Sequence, residues 1–151
     1  MRLRDTYNHD RGFTLIEVMI GLSILFIIFG LGLFLSMDFY KTFSFKSDNH
    51  IAISTLHKAR TQALSNINQK EHGVHFDNAG HTMTIFEGPT YIAGAATNET
   101  VSVNSNLTIS PATADVLFEQ LTGDSTMQVI TISDGIKTLN ITINDEGAII
   151  Y

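Results

Sequence analysis

The hydrophobic pattern of the chain changes character twice. From Phe13 to Met37 (FTLIEVMIGLSILFIIFGLGLFLSM) nearly every position is apolar, and Glu17 is the single charge among 25 residues. No face of such a helix is polar. At about 1.5 Å per residue it is about 37 Å long, enough to cross a hydrocarbon core of about 30 Å. Residues 38–50 (DFYKTFSFKSDNH) then mix aromatic and charged side chains, as a segment leaving a membrane interface does. From Ile51 a helical period returns. Ile53, Leu56, Ala59, Ala63 and Ile67 form one stripe, with Lys58, Arg60 and Gln62 mostly off it. The pattern predicts one long helix with a membrane half and an amphipathic half, the latter over 38–72, stopped near Gly73.

Beyond Gly73 the period becomes two. Val74-His75-Phe76 and Thr82–Phe86 flank Asn78-Ala79-Gly80-His81 and read as a hairpin. Gly88–Asn98, rich in Gly, Ala and Thr, reads as a loop. Further strands are expected over Thr100–Ser110 and Val116–Leu121. Met127–Ser133 and Ile136–Asn144 are expected to join at the tight-turn pair Asp134-Gly135, and Ala148–Tyr151 to close the series. Six or seven short strands with no intervening helices predict an antiparallel meander. The expected fold class is therefore α+β, a long N-terminal helix packed on a small antiparallel β-sheet domain over 73–151.

Length sharpens the reading of the apolar segment. With 151 residues the chain makes one small domain plus an appendage, without a core able to hide such a helix on every side. A secretory signal fits poorly, because its apolar run is shorter and ends at a small-residue cleavage site. Here Ser36-Met37-Asp38-Phe39 has no such pattern, and the small-residue break, Gly12, precedes the apolar run. A cut after Gly12 leaves the helix on the mature chain and places Glu17 four residues from a new α-amino group. Glu17 also lies in the first turn, where the helix dipole favours an anion. A carboxylate in a spanning segment costs about 2–4 kcal/mol and usually has a function. An ion pair with an amine, its own or a neighbour's, is the functional reading; snorkelling at the membrane edge is the plain one.

Arg11-Gly12-Phe13-Thr14-Leu15-Ile16-Glu17-Val18, preceded by the basic Arg2 and Arg4 and followed by the apolar helix, resembles the processing site of type IV prepilins and type II secretion pseudopilins. The resemblance implies a cytoplasmic leader, 1–12, removed by a prepilin peptidase between Gly12 and Phe13, and N-methylation of Phe13. It implies a transmembrane and filament-core helix over 13–37, in which Glu17 pairs with the N-terminal amine of an adjacent subunit. Expected partners are the peptidase, other pilins or pseudopilins, an inner-membrane assembly platform and membrane lipid. The expected location is the bacterial inner membrane, single-pass, with the N-terminus cytoplasmic and the β-domain periplasmic or extracellular, and a filament after assembly. Charge alone leans the same way, with three Lys+Arg before the helix and two soon after it. Many major pilins carry a proline in this helix; this chain has none before Pro89, and Gly30 and Gly32 are its weak points. The order of His57–Leu64, Gly73–Phe76, Val116-Leu117-Phe118 and Ile143–Ile149 resembles the GspH/FimT branch of minor pilins and pseudopilins.

Enzymatic chemistry is not expected. The absence of cysteine excludes thiol catalysis and Cys-type zinc sites. No nucleophile elbow, P-loop or dinucleotide fingerprint occurs. His72, His75 and His81 fall within ten residues, yet no carboxylate recurs at ligand spacing, so neither a metal site nor a cofactor is expected. His75, opposite Phe76 in strand parity, is expected to point outward. The three N-x-[ST] sequons read as strand and turn composition. Some members of the resembled branch capture DNA through basic residues, a competence role that would need phosphate-binding charge. Residues 71–151 instead carry ten acids against Lys137 alone, so nucleic acid is not an expected partner. The remaining alternative is a membrane-anchored binding domain that never assembles.

Overall fold

The structure, a computed structural model, describes residues 12–111 and 113–151. The leader expected over 1–12 therefore lies, except for Gly12, outside the described residues. The chain divides into two compact units, Met1–Lys41 and Thr42–Tyr151.

Helix α1 runs from Leu15 to Leu64. Eight strands follow: β1 (His72–Asp77), β2 (Thr82–Glu87), β3 (Glu99–Ser102), β4 (Thr108–Ser110), β5 (Thr113–Phe118), β6 (Gln128–Ser133), β7 (Thr138–Ile143) and β8 (Ile149–Ile150). The helix packed on antiparallel sheet is the α+β architecture expected from the two hydrophobic periods. The meander is not. The strands form two four-stranded sheets, ordered β3-β2-β1-β5 and β4-β6-β7-β8. In the first of these, sheet A, β5 returns to pair with β1, with Val116 opposite Val74, so that sheet is completed by a long-range contact; the second is sheet B.

Within the second unit the reason for helix-on-sheet packing is visible in the burial. Ala52, Leu56, Ala59 and Ala63 are fully buried on one face of α1. Three alanines let the backbone approach closely, while Leu56 fills the space between. Sheet A presents Val74, Phe76, Met83, Val116 and Phe118, and sheet B presents Ile130, Ile132, Ile141 and Ile143, to one shared core. The stripe is wider than its sequence pattern suggests, since Phe45, Asp48 and Thr55 are buried too. Ile67 is 42% exposed and lies past the helix end.

α1 stops at Leu64, well before Gly73. Asn66 turns left-handed (φ 53°), a conformation Asn tolerates. The Leu121 amide donates to the Ala63 carbonyl at 3.1 Å, and Gln120 Nε2 donates to Asn66 Oδ1 at 2.5 Å. The cap thus comes from a loop distant in sequence. Gly73 lies inside β1 instead, for a packing reason. A Cβ there would sit 2.5 Å from Phe86 Cζ and 2.7 Å from the Val116 carbonyl oxygen.

The hairpin β1–β2 forms as expected, and 88–98 contains neither helix nor strand. The strand expected over Thr100–Ser110 divides between the sheets as β3 and β4. The Leu107 amide donates to the Asn104 carbonyl at 3.0 Å, and the Asn106 amide to Asn104 Oδ1, making the turn that separates them. The strand expected over Val116–Leu121 starts and ends three residues earlier: β5 runs from Thr113 to Phe118, and Leu121 adopts φ 69° in the following turn. At the Asp134-Gly135 turn, Asp134 Oδ1 accepts the Ile136 and Lys137 amides at 2.9 and 2.6 Å. Ile136 belongs to this turn, not to β7. Both amides hold the Asp134 carboxyl below the usual range, Lys137 first.

Two predictions follow from this packing. Gly73→Ala is expected to lower unfolding stability by about 1–3 kcal/mol, the usual cost of overpacking; an unchanged urea midpoint would contradict the contact with Phe86. Asp134→Asn retains an acceptor but cannot titrate. Because the folded carboxyl lies below its unfolded value of about 3.9, its contribution is complete above that pH and is lost as pH falls through the depressed folded value. The variant should therefore show a shallower acid limb in unfolding midpoints between pH 5 and 2, and an identical slope would rule the contribution out.

Candidate functional site: the N-terminal helix

Gly12, Phe13 and Thr14 precede the first helical turn, and all three are exposed, Phe13 at 82%. Thr14 caps the helix. Its Oγ1 accepts the Glu17 amide at 3.3 Å, and its carbonyl accepts the Glu17 and Val18 amides at 3.1 and 3.2 Å. Thr14-x-x-Glu17 is the spacing of a capping box, a signal already present in the residues and overlooked when Glu17 alone is weighed. The cap fixes Glu17 in the first turn, where the dipole stabilises its charge.

From Leu15 to Leu33 the helix is long and apolar enough to cross a membrane, with none of that span buried. Ser23 hides its hydroxyl by donating to the Met19 carbonyl at 2.8 Å. A Cβ on Gly21, Gly30 or Gly32 would meet nothing within 4 Å, and the helix continues through all three. Among the described residues Glu17 forms no ion pair. The apolar surface over 15–33 is likewise uncovered among the described residues.

The histidines do not converge. His72 is buried on the core side of β1, its Nε2 3.0 Å from the Ile67 carbonyl. His75 projects from the opposite side, as its parity requires, but is half-buried there. Its Nδ1 lies 2.5 Å from Asp115 Oδ1, and its ring stacks on Tyr91 with centroids 3.8 Å apart. Among the described residues no group of three His, Cys, Asp or Glu could hold a metal ion.

The second unit tethers its own stretch of helix by polar contacts at its margins. Lys137 Nζ donates to Thr42 Oγ1 at 2.6 Å, Asn104 Nδ2 to Ser44 Oγ at 3.1 Å, and Arg60 Nη2 to the Glu146 carbonyl at 2.9 Å. Lys58 pairs with Glu99 and, with Gln62, holds that carboxyl below its usual range. Burial pushes Asp48 up, against the restraining Asn104 amide and Ser44 hydroxyl.

A single-helix anchor carrying a lone acidic residue near its start, joined to a helix-on-sheet domain, defines the class. Residues 7–33 match the family model of the prokaryotic N-terminal methylation motif. That motif supports a type IV pilin-like protein, structural in kind, processed by prepilin peptidase and assembled with other pilins, and it fits single-pass anchoring in the inner membrane. The match ends before the β-region and does not reach the GspH/FimT branch. The comparison with curated proteins and that with solved structures each yield no match.

Removal of the cap tests the geometry directly. Thr14→Ala is expected to cost about 1 kcal/mol of local helix stability, seen as faster amide exchange at Glu17 and Val18 in detergent. Unchanged exchange would show that Thr14 does not hold the first turn.

Proposed function

We propose that this chain is a minor pilin or pseudopilin, a structural subunit of a type II secretion pseudopilus or a type IV pilus. The observation that carries the reading is the methylation motif over 7–33 coinciding with a wholly exposed apolar helix whose single carboxylate is Glu17. Prepilin peptidase removes 1–12, cutting between Gly12 and Phe13, and Phe13 is N-methylated. Gly12 is exposed and precedes the helix, so cleavage after it does not require α1 to unwind. Residues 13–37 then hold the subunit in the inner membrane among lipid until the assembly platform passes it into a filament. The β-domain lies on the periplasmic or extracellular side.

Within the filament Glu17 pairs with the methylated amine of an adjacent subunit. Both groups leave water on assembly, and an unpaired charge in an apolar core costs several kcal/mol, about what fixes one register over its neighbours. A DNA-uptake role has less support. Phosphate binding needs basic residues, and 71–151 carries a net −9.

Intact-mass and N-terminal analysis of the chain from its own membranes tests the processing. The expected product starts at N-methyl-Phe13, and Gly12→Val should leave the full precursor. A mature chain starting at Met1, or cut beyond Ser36, sinks the reading. Glu17→Ala should insert normally but lose at least about tenfold in filament content, the scale of one buried charge pair; full incorporation would dismiss the ion pair.

A further inference from the structure

We propose that the outward face of α1 between Phe43 and Thr61 docks on the acidic β-region of a second copy of this chain, displaced along the helix. This rests on the filament reading above and names one of its contacts. Phe43, Lys46, His50 and His57 are all exposed and recur at helical spacing, so they share one face. Phe43, at 74% exposure, is an aromatic side chain left in water by its own fold. The face is also basic. Within Thr42–Leu64 the charges are Lys46, Lys58 and Arg60 against Asp48 alone. Lys58 is taken by Glu99, Arg60 by the Glu146 carbonyl, and Asp48 is buried. Lys46 is left as the outward charge, beside two imidazoles.

The surface of opposite sign is the β-region. Its exposed carboxylates Glu119, Asp145 and Glu146 gather at one end, because the Glu119 amide donates to the Asp124 carbonyl at 2.8 Å and the Ser125 amide to the Asp145 carbonyl at 3.0 Å. Leu121 and Met127, 61% and 69% exposed, supply apolar area among them. This end lies beside Leu64, whose Cδ2 would be 2.9 Å from a Cβ on Gly123. Lys46 and Leu64 are separated along α1 by about 27 Å at the helical rise. Lys46 therefore cannot reach the acidic end of its own chain. The two meet between copies shifted by about that length. The one carboxylate within Thr42–Leu64, Asp48, is buried, so pairing helix face with helix face would offer Lys46 no exposed partner of opposite sign. A contact between unlike patches leaves a free patch at each end, which builds an open filament and not a closed dimer.

Charge reversal in the full chain, read as its content in filaments sheared from cells, tests the contact. Lys46→Glu and the pair Glu119→Lys/Glu146→Lys should each lower that content about fivefold, a surface ion-pair network's scale. Together they should restore it to within about twofold. Unchanged unfolding midpoints confirm that the fold survives. The chain has no cysteine, so Lys46→Cys with Glu119→Cys gives a clean second measurement. A short bismaleimide should produce a ladder of dimers, trimers and higher species. Failure of either reversal to act, failure of the combination to restore, cross-links only to a different protein, or dimers alone would each overturn the docking. If the unaltered chain, starting at N-methyl-Phe13, is present in the sheared filaments, the docking falls alone. If it is absent there, both readings fall together.

Discussion

The structure depends on the contact of one helix face with two sheets. Ala52, Leu56, Ala59 and Ala63 bury completely in the second unit. Neither four-stranded sheet could cover its apolar face alone, since each would leave its isoleucines or phenylalanines in water. Together with the helical stripe they bury one shared core. The polar tethers at Thr42, Ser44, Lys58 and Arg60 then fix the rotation of the helix about its axis. That rotation decides which residues of α1 are left outward.

The same helix changes its solvent along its length. Over 15–33 it is apolar, long enough to cross a membrane, and unburied among the described residues. Over 42–64 it has one apolar face, satisfied by its own β-domain. Thr14 and Glu17 mark the start of the first regime. A threonine cap secures this helix end and holds the Glu17 carboxylate in the first turn.

Much of this is legible in the residues alone, where the signal is local. The apolar run, the stripe through Leu56 and Ala63, the β1–β2 hairpin and the Asp134-Gly135 turn are each written within a few consecutive positions. The features that escape sequence reading are held from a distance. The helix ends at Leu64 because Gln120 and Leu121 cap it, and nothing near Leu64 announces that. Gly73 looks like a helix stop until Phe86 is seen lying over it. The division of Thr100–Ser110 into two sheets is driven by the Asn104 turn, where Ser105 interrupts the alternation of Val101, Val103, Leu107 and Ile109. At the candidate site the linear pattern from Gly12 to Glu17 is legible, and Thr14-x-x-Glu17 could have been read with it. Among the described residues Glu17 has no ion-pair partner.

The distant cap of α1 also has a meaning for how the chain reaches its final form. Sheet A cannot close until β5 arrives to pair with β1, and the helix end is not held until Leu121 and Glu146 reach Ala63 and Arg60. Synthesis from the N-terminus delivers the apolar helix first and these contacts much later. Contacts so far apart in sequence close slowly. For an interval the amphipathic half of α1 therefore exists with its alanine-lined face uncovered. Such a face is open to premature association with any neighbouring apolar surface.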